Sequence, residues 1–394
     1  MKEKIPQLAS KYDCTGCMAC VDACSQNALS TKIGHDGHYY IMFDESQCIE
    51  CLSCQNICPV VSKFNYSKSE THQAFAAWGT NRTQRAESAS GGVFAAMASY
   101  VIDHGGIVYG AASSGLDVKH MFIEHKDKLP SLQGSKYTQS NCSGCYKRIY
   151  EHLRSSRMVL FSGTGCQVAG LLSYLGKRKY DGCLITVDLV CGGVPSKLLQ
   201  QAFAKNEPYE VKRILSYRTK ETGWKSFGFQ YNMKVEDVAG NIHDYSNKRN
   251  LITDGYGTGF TNRYSCYHCQ FVGLERMSDY TIGDLWGDTS FPEEHFDGLS
   301  VIISHNQKAM SLLSQMNDYL HTSPITDIAA TSNNHRLVNG KSRKDIFIER
   351  KYLGWFFNHC SYSFLKKLYA FNYPVYSPWM IYKAFSYVLK RILK

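Results

Sequence analysis

From about Ala74 the chain alternates short β-branched or aromatic runs with stretches of helical spacing. The runs include Gly106–Tyr109 (GIVY), Met158–Phe161 (MVLF) and Cys183–Val190 (CLITVDLV). Each precedes a glycine-containing turn and a helix-like segment, the pattern of an α/β domain. Ser88–Phe94 (SASGGVF) opens a helix predicted to run through Tyr100. The polar, unpatterned stretch 62–71 reads as a linker. At the far end, Ser377 and Pro378 read as N-cap and first position of a last helix over 378–394. Ile381, Phe385, Val388, Leu389 and Ile392 share one face of it, and Lys383, Lys390, Arg391 and Lys394 lie elsewhere. This pattern suits either a helix packed on its own domain or a partner, or one attached peripherally to an anionic membrane. The division is therefore 1–65, 72–350 and a basic aromatic helical tail over 351–394.

Length and composition narrow this picture. A chain of 394 residues holds two or three domains, and with 13% aromatic and only 20% charged residues it is globular rather than disordered. No run of eighteen apolar residues predicts a transmembrane helix, and MKEKIPQLASKYDC lacks the apolar stretch of a secretory signal. Sixteen cysteines without such a signal read as metal ligands in a reducing cytoplasm, shielded from oxygen, rather than as disulfides. Six of the basic residues behind the net charge of +10 lie between Ser361 and Lys394, where no acid occurs. No nucleic-acid motif accompanies them, so no nucleic-acid partner is expected.

The cysteine spacing carries the chemistry. Cys14, Cys17, Cys20 and Cys24 form a C-x2-C-x2-C-x3-C run, and Cys48, Cys51, Cys54 and Cys58 repeat it with Pro59 following. This is the spacing of a ferredoxin module holding two 4Fe-4S clusters, in which the fourth cysteine of each run ligates the other cluster. Cys14, Cys17, Cys20 and Cys58 are thus expected to hold one cluster, and Cys48, Cys51, Cys54 and Cys24 the other. Paired structural zinc sites seldom use this spacing. Such a module moves electrons, and the remaining chain must supply or accept them.

The turns of the α/β region sit where open sheets bind ligands. SASGGVF (88–94), GSKYTQS (134–140), FSGTGCQVAGL (161–171), DLVCGGVPS (188–196), YRTKETGW (217–224) and RYSCYHCQF with MSDYTIGDLWGD (263–288) occur in this order. Together they resemble the coenzyme F-420 hydrogenase/dehydrogenase beta-subunit family, and with the ferredoxin head the resemblance covers most of the chain. The bacterial branch with a fused N-terminal ferredoxin, found among polysaccharide-biosynthesis genes, is most similar. The resemblance implies an α+β ferredoxin-like N-terminal module followed by a larger α/β flavin-binding domain. It also implies FAD, a third 4Fe-4S cluster on Cys166, Cys191, Cys266 and Cys269, and coenzyme F-420 as a further candidate cofactor. Flavin contacts carried over are Ser90, Gly91, Gly92, Lys136, Gly163, Thr164 and Gly165. A lysine near the flavin N1 region stabilises an anionic reduced ring, and the alternative for Lys136 is a solvated surface position. Arg218, Lys220 and Trp224 fall on the substrate side, with Asp284 and Trp286 buttressing the cluster loop. One departure is Gly192, where the family usually has His.

Cys142 and Cys145 form a further C-x-x-C that reads equally as a redox dithiol, as alternative cluster ligands or as two free thiols. Cys183 and Cys360 read as packing residues. Three functions stay open. The leading one is an iron–sulfur flavoprotein oxidoreductase of unknown catalytic residues, fed by a ferredoxin or another reductase. Its substrate would be a small-molecule or lipid-linked sugar intermediate of surface polysaccharide, at the cytoplasmic face of the membrane if the tail binds there. The others are an electron-transfer subunit serving a partner enzyme and a redox sensor without activity.

Overall fold

The computed structural model describes residues 5–62, 71–221, 223–224, 232–246, 248, 250–259, 261–340 and 353–370. The N-terminal module is a ribbon of β1 (Leu29–Ile33) against antiparallel β2 (Tyr39–Phe43), with short helices at Ala19–Ala23 and Ser53–Asn56. Its two cysteine runs fold alike. Gly16 and Met18 in the first, and Glu50 and Leu52 in the second, take left-handed φ values of 70°, 67°, 56° and 55°. Such backbone costs about 1–2 kcal/mol at a non-glycine residue, and here it turns successive amides toward the cysteine sulfurs.

The larger domain contains β3 (Gln73–Gly79), β4 (Ile107–Ser114), β5 (Asp117–Ile123), β6 (Ser140–Asn141), β7 (Met158–Thr164), β8 (Cys183–Leu189), β9 (Val211–Ser216), β10 (Lys234–Asp237), β11 (Ile242–Asp244), β12 (Tyr280–Asp284), β13 (Ser300–Ser304) and β14 (Leu320–Ile325). Among the described residues, nine of these form one sheet in the order β14-β3-β13-β12-β8-β7-β4-β5-β6. Its centre, β12-β8-β7-β4, is parallel, and the pairings from β14 to β12 and between β4 and β5 are antiparallel. The sheet is therefore mixed, whereas the sequence signalled only its parallel centre. The central strands are covered on both faces, which is why Val159, Leu160 and Phe161 are all fully buried and read as a continuous apolar run. A separate antiparallel sheet, β11-β10-β9, stands beside it.

One face of the large sheet packs on the helix Val93–Asp103 through Met97 and Val101. The other packs on the helices Cys145–Arg154 and Gly165–Leu175, and that core also takes in Cys17, Met18 and Ala19 of the ferredoxin module. The module and the larger domain thus share a hydrophobic core. Asp22 strengthens the joint, because its carboxylate accepts the amides of Gly144 (2.5 Å) and Tyr146 (2.8 Å) at the start of the helix Cys145–Arg154.

Within the expected tail, the helix Tyr362–Ala370 packs Leu365 against Leu199, Ala202 and Leu251. Cys360 lies partly buried beside this cluster. The last helix expected over 378–394 lies outside the described residues. No helix among the described residues is long and apolar enough to cross a membrane.

Candidate functional site

The eight N-terminal cysteines gather into two sets. Cys14, Cys17, Cys20 and Cys58 line one small cavity with Leu8, Ile41 and Pro59. Cys24, Cys48, Cys51 and Cys54 line another with Pro6, Leu29 and Phe43. Each set takes three cysteines from one run and the fourth from the other, the partition that the spacing predicted. The backbone amide of Glu50 donates to the Cys48 sulfur at 3.4 Å, the kind of bond that supports a cluster. The first set lies toward the larger domain and the second away from it. Burial pushes Cys17 up to about 12, whereas hydrogen bonds with Ser53 hold exposed Cys51 below the usual thiol value.

Cys166, Cys191, Cys266 and Cys269 come together from three places. Cys166 lies in the first turn of the helix Gly165–Leu175, whose N-cap Thr164 forms a capping box with Gln167. Cys191 follows β8, and Cys266 lies in the 3-10 turn Tyr264–His268 just before Cys269. Each of the four thiols is close enough to feel the charge of the others. The amides of Gly193 and Val194 donate to the sulfurs of Cys191 and Cys266, each at 3.4 Å, and the Thr164 hydroxyl lies 3.1 Å from the Cys166 sulfur. Burial pushes Cys266 up to about 12. Among the described residues, no three His, Cys, Asp or Glu side chains converge on a single-ion site. A cubane differs in binding each thiolate at a separate iron corner.

Two guanidinium groups stand beside this set, and neither is signalled locally in the sequence. Arg276 pairs with the buried Asp188 at 3.2 Å. Arg336 donates to the Tyr256 hydroxyl at 2.6 Å, and a Cβ at position 192 would lie 2.8 Å from its Cζ. Gly192, the position noted as a departure from the pattern the chain resembles, leaves room for that cation.

The helix Gly165–Leu175 connects the sites. Cys166 stands in its first turn, and Gly170 one turn later packs on Cys17; a Cβ there would lie 2.9 Å from the Cys17 Cβ and 3.1 Å from its sulfur. Ser173, one turn further, donates to the carbonyl of Ile57 at 2.6 Å, beside Cys58. One turn of helix, about 5.4 Å, therefore separates the residue that presents Cys166 from the one that touches Cys17.

A cavity of about 260 Å³ opens at the C-terminal ends of the parallel strands, where such sheets place ligands. Ser90, Gly92, Lys136, Gly163 and Thr164 line it. Gly91 and Gly165 stand behind its wall. The Gly91 amide donates to Ser300 Oγ at 2.9 Å, and a Cβ at position 165 would lie 3.0 Å from the carbonyl of Phe271. Lys136 donates to the carbonyl of Gln133 at 2.7 Å, and burial lowers its pKa to about 7. Arg218 lines the cavity and is held by both oxygens of Asp284 at 2.8 and 3.1 Å. Lys220 does not reach the cavity, because its ammonium donates to the carbonyls of Arg85, Ser90 and Asp297. Trp224 also stands behind the wall, stacked on Trp286 with centroids 5.3 Å apart and donating to Asp284 at 3.2 Å.

Cys142 and Cys145 are buried in the shared core. Nε2 of His120 donates to the carbonyl of Ser162 at 3.0 Å, so Nδ1 is the acceptor for the Cys142 thiol 3.1 Å away. Burial holds His120 near 4, which leaves its ring neutral. His120 lines the cavity, and sequence reasoning missed it because its partners are distant in the chain.

Residues 13–61 match the family model of a 4Fe-4S dicluster domain. Residues 156–328 match the model that describes the C terminus of the beta subunit of coenzyme F420 hydrogenase/dehydrogenase. No curated protein matches the chain. Among solved structures, it is similar to a chain of the F420-reducing NiFe hydrogenase complex from Methanosarcina barkeri. The identity is 18% and the TM-score 0.44, over 68% of this chain and 91% of that one. The chain thus matches, in two successive segments, the model of a 4Fe-4S dicluster domain and the model of the C terminus of the coenzyme F420 hydrogenase/dehydrogenase beta subunit.

Proposed function

We propose that the chain is an iron–sulfur flavoprotein oxidoreductase in which electrons travel along the helix Gly165–Leu175. The observation that carries this reading is the pairing on that helix of Cys166 with Gly170, which packs on Cys17. Cys24, Cys48, Cys51 and Cys54 would hold an outer cluster, Cys14, Cys17, Cys20 and Cys58 an inner one, and Cys166, Cys191, Cys266 and Cys269 a third. Clusters supply one-electron steps, and a flavin converts these into two-electron chemistry.

The residues around the cavity suit a flavin. The helix Val93–Asp103 directs its first amides there, and Lys136 supplies a titratable cation at the wall. Arg218, fixed by Asp284, offers a second cation for an anionic substrate or cofactor. A sugar intermediate of surface polysaccharide is the first substrate class to screen, on the strength of the family resemblance. Cys51, exposed at the outer site, suits a one-electron donor such as a ferredoxin and equally supports the reading of a subunit serving a partner enzyme.

Anaerobic purification followed by iron, sulfide and flavin analysis tests the scheme. About twelve irons and one FAD per chain are expected. About eight irons would remove the third cluster, and a flavin-free protein would remove the flavin. Turnover of a purified sugar intermediate without a partner would decide against the subunit reading.

A further inference from the structure

Arg263 is fully buried, and among the described residues no carboxylate pairs with it. Its Nε donates to the carbonyl of Cys14 at 2.5 Å and its Nη1 to the carbonyl of Tyr39 at 2.6 Å and to Oε1 of Gln139 at 3.3 Å. Its Nη2 is buried without a hydrogen-bond partner. The guanidinium also lies over the ring of Tyr40, 4.9 Å from its centroid. A buried cation is costly unless an opposite charge compensates it, and the neutral groups around Arg263 leave that charge unmet.

The geometry shows where the compensating charge would lie. A Cβ at Gly16 would meet Gln139 Nε2 at 2.3 Å, Nη1 of Arg263 at 3.0 Å and its Cζ at 3.1 Å, so glycine there lets the Gln139 amide and the guanidinium both close on the loop Cys14–Cys17. On the other side, the carbonyl of Arg263 accepts the Cys266 amide at 3.0 Å, and its own amide donates to Val194 at 2.9 Å. The guanidinium is therefore held against the inner cysteine loop, while the backbone of the same residue is bonded into the third set, whose Cys266 also feels its charge. In the second cysteine run, the position equivalent to Gly16 is held by Glu50, which is exposed.

We propose that Arg263 is a positioning and tuning residue that raises the reduction potential of the inner cluster above that of the outer one. This rests on the reading that the two N-terminal sets each hold a cluster. A cluster gains negative charge on reduction, and a fixed cation in a water-poor site favours the reduced form. The resulting difference draws an electron toward the larger domain.

The test is an EPR-monitored redox titration of the anaerobic full chain, with the outer signal assigned through Cys51→Ser. In the wild type, the inner cluster is expected to titrate at the higher potential. At the potential where that cluster is half reduced, Arg263→Gln is expected to lower its reduced-to-oxidised ratio at least tenfold, a shift of 59 mV for one electron, with the outer cluster unmoved. Arg263→Lys, which keeps the charge and loses the fork of hydrogen bonds, is expected to retain most of the wild-type potential. The inference is overturned if the outer cluster has the higher potential in the wild type. It is overturned as well if both clusters shift equally in Arg263→Gln, or if Lys behaves as Gln does. A wild type without iron would sink the cluster reading too, whereas eight irons with equal shifts would sink this inference alone.

Discussion

The hydroxyl of Tyr146 donates to the carbonyl of Cys17 at 2.8 Å, and also to that of Gln167 at 3.1 Å. One side chain of the larger domain thus ties the inner cysteine loop to the helix that bears Cys166. Tyr146→Phe removes both bonds and leaves two buried carbonyls short of a donor, at a cost of about 1–3 kcal/mol. Anaerobic urea unfolding is expected to show that loss without a change in iron content.

Gly170→Ala sets two effects against each other. Alanine favours a helix interior by about 1 kcal/mol over glycine, but its Cβ would press on Cys17. The contact is expected to win, with about four irons lost per chain and the remaining clusters spectroscopically intact. A variant with full iron content and raised stability would show that the close approach does not hold the inner site.

Cys266→Ala isolates the third set. Iron is expected to fall from about twelve to about eight per chain, with the dicluster signals unaltered. Unchanged iron would remove Cys166, Cys191, Cys266 and Cys269 as a cluster site.

Lys136 gives the cavity a pH dependence. Burial lowers it from 10.5 to about 7, so between these values the unfolded chain binds more protons than the folded one. Stability therefore rises as pH increases from about 7 toward 10.5, and the burial cost is felt in full below 7. In Lys136→Met the contribution disappears, and the slope of unfolding free energy against pH is expected to flatten in that window.

Cys142 tests whether the extra C-x-x-C matters for electron traffic or for packing. Cys142→Ser keeps a donor for Nδ1 of His120 and is expected to retain iron content and activity. Cys142→Ala leaves that nitrogen without its thiol, at a cost of about 1–3 kcal/mol in denaturant unfolding. Lost activity at full iron content in Cys142→Ser would instead point to a redox dithiol.

What could be read from the sequence was local. The N-terminal cysteines lie close together along each run, and the cavities they line group them as the spacing led one to expect. The parallel centre of the sheet announced itself through apolar runs, because those strands are buried on both faces. The flanking strands did not: β14 carries Pro324, which argues against a strand anywhere but at an edge, and β14 is indeed at the edge. Long-range partners left no trace either. Nothing near Arg263 signals Cys14, nothing near Gly170 signals Cys17, and nothing near Gly192 signals Arg336. Lys220 misled for the same reason, since the three carbonyls that hold it belong to residues distant in the chain.

The exposure of Cys51, which no cysteine of the inner set shares, has a consequence for damage as well as for conduction. Dioxygen meets the outer ligands first, while the inner set is sheltered by the core that the module shares with the larger domain. Decay in air will therefore proceed from one end. On the proposed scheme, electron exchange through the outer site will stop while the interior centres remain assembled, and restoring the outer four irons alone will bring it back.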